Sequence, residues 1–166
     1  MMRAYVAPSL EFLRPLPVSA IIPVAIAMLG LTQGMALFVI AFGAIWPIML
    51  ATIHGFAAVE PRLYEVARSL QMSRAAIIAK IALPSALPDI LAGMRLSLTV
   101  ALILSVVCEI LAGLDGLGQW VLLSARAFRS ADLFAGVILL GATGYLTSIA
   151  MSLVEQRLLA WQTAAR

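Results

Sequence analysis

The chain offers few residues of the kinds that do covalent chemistry. Its single histidine, His54, lacks the second histidine and glutamate of an H-E-x-x-H zinc site. No G-x-S-x-G turn or aspartate pair marks a hydrolase, and the one thiol, Cys108, excludes a disulfide or thiol cluster within the chain. A G-x-x-x-x-G-K-[ST] stretch is also missing, so these residues do not cradle nucleotide phosphates in the usual way. No catalytic residue, cofactor or metal site is therefore expected. His54 suits the C-terminal end of a helix dipole, and Cys108 suits a packed apolar helix.

What remains are charges inside apolar runs and one polar segment. Arg95 and Glu109 lie near opposite ends of the same run. A charge in a bilayer is costly and marks function by default. Arg95 is close enough to its end to snorkel toward the headgroups. Glu109 has three open roles: capping a helix, pairing with Arg126 or Arg129, or facing a solute path. The hydroxyls of Ser97, Thr99, Ser105, Thr143, Thr147 and Ser148 could meet a polar solute, although such groups commonly bond back to their own helix. Gly136, Gly141 and Gly144 are expected to let helices pack closely.

These residues are set in an apolar frame. Of 166 residues, 63% are hydrophobic and 11% charged, a composition that excludes an ordinary soluble domain. At about 20 apolar residues per helical span, the sequence predicts an all-α integral membrane domain over 1–166 with about four spans. They fall near 19–31, interrupted by Pro23, and near 35–54, 90–113 and 134–154. The half-buried segment "LRPLPV" precedes the first. Four spans put the N-terminus, the 55–89 loop and the C-terminus on one face. That face carries Arg3, Arg14, Arg62, Arg68, Arg74, Lys80, Arg157 and Arg166, with Arg95 at a helix end. The other carries only Arg126 and Arg129, offset by Asp115 and Asp132. Cationic loops stay cytoplasmic, so the basic face is predicted to be cytoplasmic, and topology explains the excess charge without nucleic acid. The N-terminus has no secretory signal pattern, so insertion relies on the spans.

The 55–89 loop carries the most specific pattern. Pro61 suits a first helical position, and Leu63, Val66, Ala67 and Leu70 recur at i, i+3, i+4, i+7 as one apolar stripe. Ser73 has the chemistry of an N-cap for a second helix, 74–83, with Ile77, Ile78 and Ile81 on its apolar side. Pro84 and Pro88 are expected to end that helix and turn the chain back at Asp89. Two short amphipathic helices joined by a tight turn could lie on lipid, brace their own bundle, or fill a socket on a partner.

This segment resembles the cytoplasmic "EAA" loop of the membrane-spanning subunits of bacterial ABC importers, whose pattern is E-A-A, three residues, G, nine residues, I-x-L-P. Glu65-Val66-Ala67 stands for E-A-A, Gln71 takes the glycine position, and Ile81, Leu83 and Pro84 supply the ending. The resemblance extends through "LRPLP" at 13–17, "HGF" at 54–56, "ILAGMRLSL" from Ile90, Glu109, "GLG" at 116–118 and "FAGVILLG" from Phe134. These look like the permease group for nitrate, sulfonates, taurine and related small solutes. If the turn requires positive φ at Gln71, the side chain there costs on the order of 1 kcal/mol. Members usually have six spans, so four look like the last two-thirds of such a permease.

The resemblance implies two permease chains in a homodimer, two cytoplasmic ATPase subunits, an extracytoplasmic solute-binding protein and a multi-pass location in the bacterial inner membrane. ATP hydrolysis would belong to the partner. Glu65, Ala67, Arg68, Leu70, Gln71, Met72 and Ser73 are then the ATPase-docking residues, with Leu70 and Met72 as apolar anchors and Ala67 small enough for close approach. Arg68 and Arg74 either pair with acidic groups there or set topology. Ile77, Ile78, Ile81, Leu83 and Pro84 pack the loop against the spans. Two alternatives are a permease remnant that inserts without transporting and a stand-alone secondary transporter. The latter tends to show repeats or mid-membrane charges, which are not evident.

Overall fold

The computed structural model describes residues 18–160. "LRPLP", Arg3, Arg14, Trp161 and Arg166 lie outside the described residues. Those described form helices and no strand: α1 (Val18–Leu29), α2 (Gln33–Ala57), α3 (Pro61–Ser69), α4 (Arg74–Ile77), a π-helical turn (Ile78–Ala82), α5 (Leu83–Ala112), α6 (Leu117–Arg126) and α7 (Ser130–Leu158). The turn joins α4 to α5, making one helical run, Arg74–Ala112, of 39 residues. With α2 and α7 it is one of three helices long and apolar enough to cross a membrane, while α1 is apolar but short. Pro23 lies within α1 without ending it.

Pro84 and Pro88 do not end the second loop helix, contrary to expectation. A proline lacks the N–H that a helix uses and crowds the carbonyl four residues back. Here the chain widens just before Pro84, where the Leu83 N–H reaches back five residues to the Ile78 carbonyl. A π turn of this kind changes the hydrogen-bond register ahead of the proline, and the helix continues.

Three helix ends share one device. The Met72 N–H donates to the Ala67 carbonyl (3.0 Å), the Leu114 N–H to the Glu109 carbonyl (3.1 Å) and the Arg129 N–H to the Ser124 carbonyl (2.9 Å). In each, the residue before the donor is left-handed: Gln71 at φ 52°, Gly113 at 65° and Phe128 at 56°. This is the Schellman ending, which favours glycine. At the other kind of end, Thr32 caps α2 by accepting from the Met35 N–H (3.2 Å).

The chain divides at Trp46, Thr99 and Gly144 into two compact units. In the unit that holds α1, the first part of α2, the end of α5, α6 and the start of α7, the core is Ile22, Ala25, Met35, Val39, Cys108 and Ala112. Cys108 is buried among apolar neighbours as a small hydrophobe. Phe38, Phe42 and Trp46 form a ladder along α2, with ring centroids 6.4 and 5.9 Å apart. Helix α6 was not anticipated: its buried faces include Gly118 and Ser124, and a Cβ at Gly136 would strike Val121 at 2.5 Å. Gly136 thus serves close packing as expected. Gly141 and Gly144 have open space where a Cβ would lie.

In the other unit α2 and α5 cross at Gly93. A Cβ there would run into Ala51 and lie 3.1 Å from the Pro47 carbonyl oxygen. Pro47 disturbs the α2 ladder, and the Ser97 hydroxyl accepts from the Ile48 N–H at 3.2 Å. In a bilayer a backbone N–H near a proline has no water to turn to, so a neighbouring helix supplies the acceptor.

Candidate functional site

Helix α3 opens with Pro61, whose missing N–H would have had no helical partner. An exposed ion pair, Arg62 to Glu60 at 3.9 Å, adds little at this end. Arg68 occupies the last turn, where a cation suits the helix dipole. The turn that follows is closed by two hydrogen bonds, Gln71 N–H to the Arg68 carbonyl (2.9 Å) and Met72 N–H to the Ala67 carbonyl (3.0 Å). Both hold Gln71 in the left-handed region at the position where the loop pattern has glycine. Ser73 then caps α4, its hydroxyl oxygen accepting from the Ala76 N–H at 3.3 Å. Such a cap stabilises by about 1 kcal/mol. The loop is therefore a helix, a three-residue turn held at both ends, and a second helix that runs on into α5.

Exposure differs along this element. Glu65, Arg68, Leu70, Gln71 and Ser73 are exposed, Met72 is half-buried and Ala67 is wholly buried. Leu70 is 69% exposed and Val66 56%, although both belong to the apolar stripe. Isolated exposed apolar residues are ordinary, but these two lie beside a turn of fixed geometry and are left uncovered by the described residues. Ala67 faces inward, so its smallness serves packing of α3. Ile77, Ile81 and Pro84 are half-buried, whereas Ile78 and Leu83 remain exposed. Neither Arg68 nor Arg74 forms an ion pair among the described residues.

The charges in the apolar runs have partners. Arg95 of α5 is hydrogen-bonded and ion-paired to Glu155 of α7. Glu109 accepts from the Ser105 hydroxyl (3.2 Å) through Oε1 and from the Gly118 N–H (2.7 Å) through Oε2. Arg129 instead pairs with Asp132 at 3.2 Å. Of the three roles open to Glu109, the structure assigns helix capping. Its carboxylate also borders a cleft of about 390 Å³, with Gln33, Ser105 and Asp115 on the polar side and Leu37 and Ile40 on the apolar side. Two of the remaining hydroxyls bond back to their own helix: Thr99 donates to the Arg95 carbonyl (3.2 Å) and Thr143 to the Leu140 carbonyl (2.8 Å).

A helical loop with this register, set between apolar helices long enough to span a bilayer, is matched by a family model. The model of the binding-protein-dependent transport system inner membrane component covers residues 2–160. The chain belongs to this family. Among its relatives is the putative aliphatic sulfonates transport permease protein SsuC of Bacillus subtilis, 37% identical over 96% of this chain and 58% of the relative. The SsuC of Escherichia coli is 31% identical over 94% of the chain and 59% of the relative. The bicarbonate transport system permease protein CmpB of Synechococcus elongatus is 32% identical over 87% and 52%. The chain thus spans somewhat over half the length of these family members.

Capping was among the roles expected of Glu109, but the partners of the two charges were not named by the sequence. The Arg95–Glu155 pair joins residues 60 apart, and nothing in local spacing links them. The Glu109 contact to Gly118 crosses the end of one helix and the start of another, but "GLG" following a glutamate was a usable signal: it leaves α6 with no side-chain cap of its own.

Proposed function

We propose that the chain is part of the permease of an ATP-driven importer of a small anion and that its 61–83 loop docks on a cytoplasmic ATPase. The observation carrying this reading is the Gln71 turn, held rigid by Schellman bonds and the Ser73 cap, with Leu70 and Val66 exposed beside it. A rigid helix pair can transmit a rigid-body movement, whereas a loose loop absorbs it. The second helix of the pair runs without a break into a membrane-crossing helix, so movement at the turn is carried along one element. Glu65, Arg68, Leu70, Gln71, Met72 and Ser73 form the docking face in this reading. Ala67 supports that face from inside.

The relatives' names support the solute class, since sulfonates and bicarbonate are small oxyanions. A second copy of the chain and an extracytoplasmic binding protein complete the assembly by family analogy. The loop and the C-terminal end of α7 are cytoplasmic, because Arg62, Arg68, Arg74, Lys80, Arg95 and Arg157 cluster on that side.

Affinity purification of the tagged chain from cells expressing the full set of transport proteins tests the docking. The parent chain brings down an ATPase, and Leu70→Asp loses it while still inserting and folding. A parent chain that purifies without an ATPase, or a Leu70→Asp variant that retains it fully, refutes the reading.

A further inference from the structure

We propose that Glu109, Gly116 and Gly118 form a latch that fastens the start of α6 to the end of α5, so that α6 follows α5 when the transporter moves. The second half of this proposal rests on the importer reading above; the latch itself does not.

Four observations build it. First, α6 begins at Leu117 with Gly116 as its N-cap, and glycine has no side chain to accept from the first-turn N–H groups. Second, the Glu109 carboxylate takes that role from α5, accepting from the Gly118 N–H at 2.7 Å. A negative group at a helix N-terminus is also favoured by the dipole. Third, the glycines are what admit the carboxylate. A Cβ at Gly116 would overlap the Glu109 carboxyl, lying 2.7 Å from Oε1, and one at Gly118 would lie 2.8 Å from the Val106 carbonyl oxygen and 3.0 Å from Oε2. Gly116 has extended backbone (φ 171°) that any residue adopts, so it is glycine for space and not for conformation. Fourth, the rest of Glu109 is held as well. Ser105, one turn back, donates to Oε1 at 3.2 Å, and the Glu109 carbonyl accepts the Leu114 N–H that ends α5.

One residue therefore closes α5 with its backbone and opens α6 with its side chain. The connection between the helices is only Gly113–Gly116, and a left-handed Gly113 alone would leave it free to pivot. With the carboxylate in place, α6 cannot pivot without breaking a charge-assisted hydrogen bond. Glu109 is thus a positioning residue for α6.

The geometry predicts a reversal of sign between two substitutions. Glu109→Ala removes the cap. Gly116→Ser places a Cβ where the carboxyl sits and displaces it. Together they fit: the space is empty, and a serine at the N-cap can itself accept from the first-turn N–H groups. Hydrogen–deuterium exchange on the purified chain in lipid nanodiscs reads this at peptides covering 115–121. Each single substitution is expected to raise exchange there roughly tenfold, and the double variant to return within about threefold of the parent. Glu109→Gln, which keeps an acceptor oxygen, stays near the parent, and Glu109→Ala with Gly116→Ala, which has space but no cap, stays loose. Singles that leave exchange unchanged, or a double variant looser than either single, overturn the latch.

The same variants reconstituted with the ATPase and a binding protein test the coupling. Each single variant retains ATP hydrolysis while solute uptake per ATP falls severalfold, and the Glu109→Ala, Gly116→Ser pair regains both protection and uptake. If exchange follows the prediction but uptake per ATP is unmoved, α6 does not need to follow α5 and the second half is overturned. A parent chain that binds no ATPase overturns the importer reading and with it that second half, while the exchange result still decides the latch.

Discussion

Replacing Gln71 by glycine should stabilise the loop, and the amount follows from its backbone. Gln71 sits at φ 52°, held there by the Gln71 N–H bond to the Arg68 carbonyl and the Met72 N–H bond to the Ala67 carbonyl. An L-residue in this region costs roughly 1–2 kcal/mol. Glycine relieves that cost but loses about 0.5–1 kcal/mol through the greater freedom of its unfolded chain. The difference is a net gain of about 0.5–1 kcal/mol, which slows local opening about two- to fivefold. The Met72 amide reports it directly, because its bond spans the turn; its exchange rate, corrected for the changed neighbour, should fall by that factor in Gln71→Gly. Gln71→Ala keeps the Cβ and should match the parent. Gln71→Val should exchange faster, because a β-branched residue is least tolerated at positive φ. Gln71→Pro should open the turn, since proline fixes φ near −65° and removes the N–H that bonds Arg68. Equal protection in the glycine, alanine and valine variants would show that residue 71 is not left-handed, and the rigid-turn argument would fall with it.

Other consequences are simpler. Ser73→Ala removes the acceptor for the Ala76 N–H and should destabilise the start of α4 by about 1 kcal/mol, with Ser73→Asp retaining the cap; exchange at 74–78 checks this. Gly93→Leu should prevent the α2–α5 crossing, since the side chain would meet Ala51 and the Pro47 and Ile48 backbone, and should appear as loss of folded protein after detergent extraction. Ser97→Ala leaves the Ile48 N–H without its acceptor and should lower thermal stability by about 1–2 kcal/mol, measured by unfolding in detergent. Glu155→Gln should destabilise more than Glu155→Gln combined with Arg95→Met, because the single change strands a cation; membrane yields of the two variants decide.

The 61–83 loop was the most legible part of the sequence, because its information is local. Pro61, the i, i+3, i+4, i+7 stripe and Ser73 specify two helices, and helix caps act within four residues. Even the strain at Gln71 could be anticipated from the glycine that the loop pattern has there. Pro84 and Pro88 misled for an equally local reason. The rule that proline ends a helix assumes an unbroken α ladder, and the π turn at Ile78–Ala82 changes the ladder. Helix α6 is only 10 residues long and follows Gly116, which has no side chain to cap it, so its start carries no local signal. Its cap comes from Glu109 on another helix, as the acceptor for Ile48 comes from Ser97 and the partner of Arg95 is Glu155. Contacts between helices depend on packing that no window of sequence contains. The burial of Ala67 was hidden too: a stripe shows that residues share a face, but the fold decides which members of that face are covered.

Because Cys108 is buried, single cysteines placed at exposed loop positions give an almost silent background for cross-linking. The direct measurement is to put cysteines at Glu65, Leu70 and Ser73 in turn, in cells containing the complete transport system, and to identify what a short cross-linker captures with and without ATP. The account predicts capture of one ATPase at all three positions, with yields that change with nucleotide. Capture of lipid or of the chain's own helices alone, unaffected by nucleotide, would contradict it.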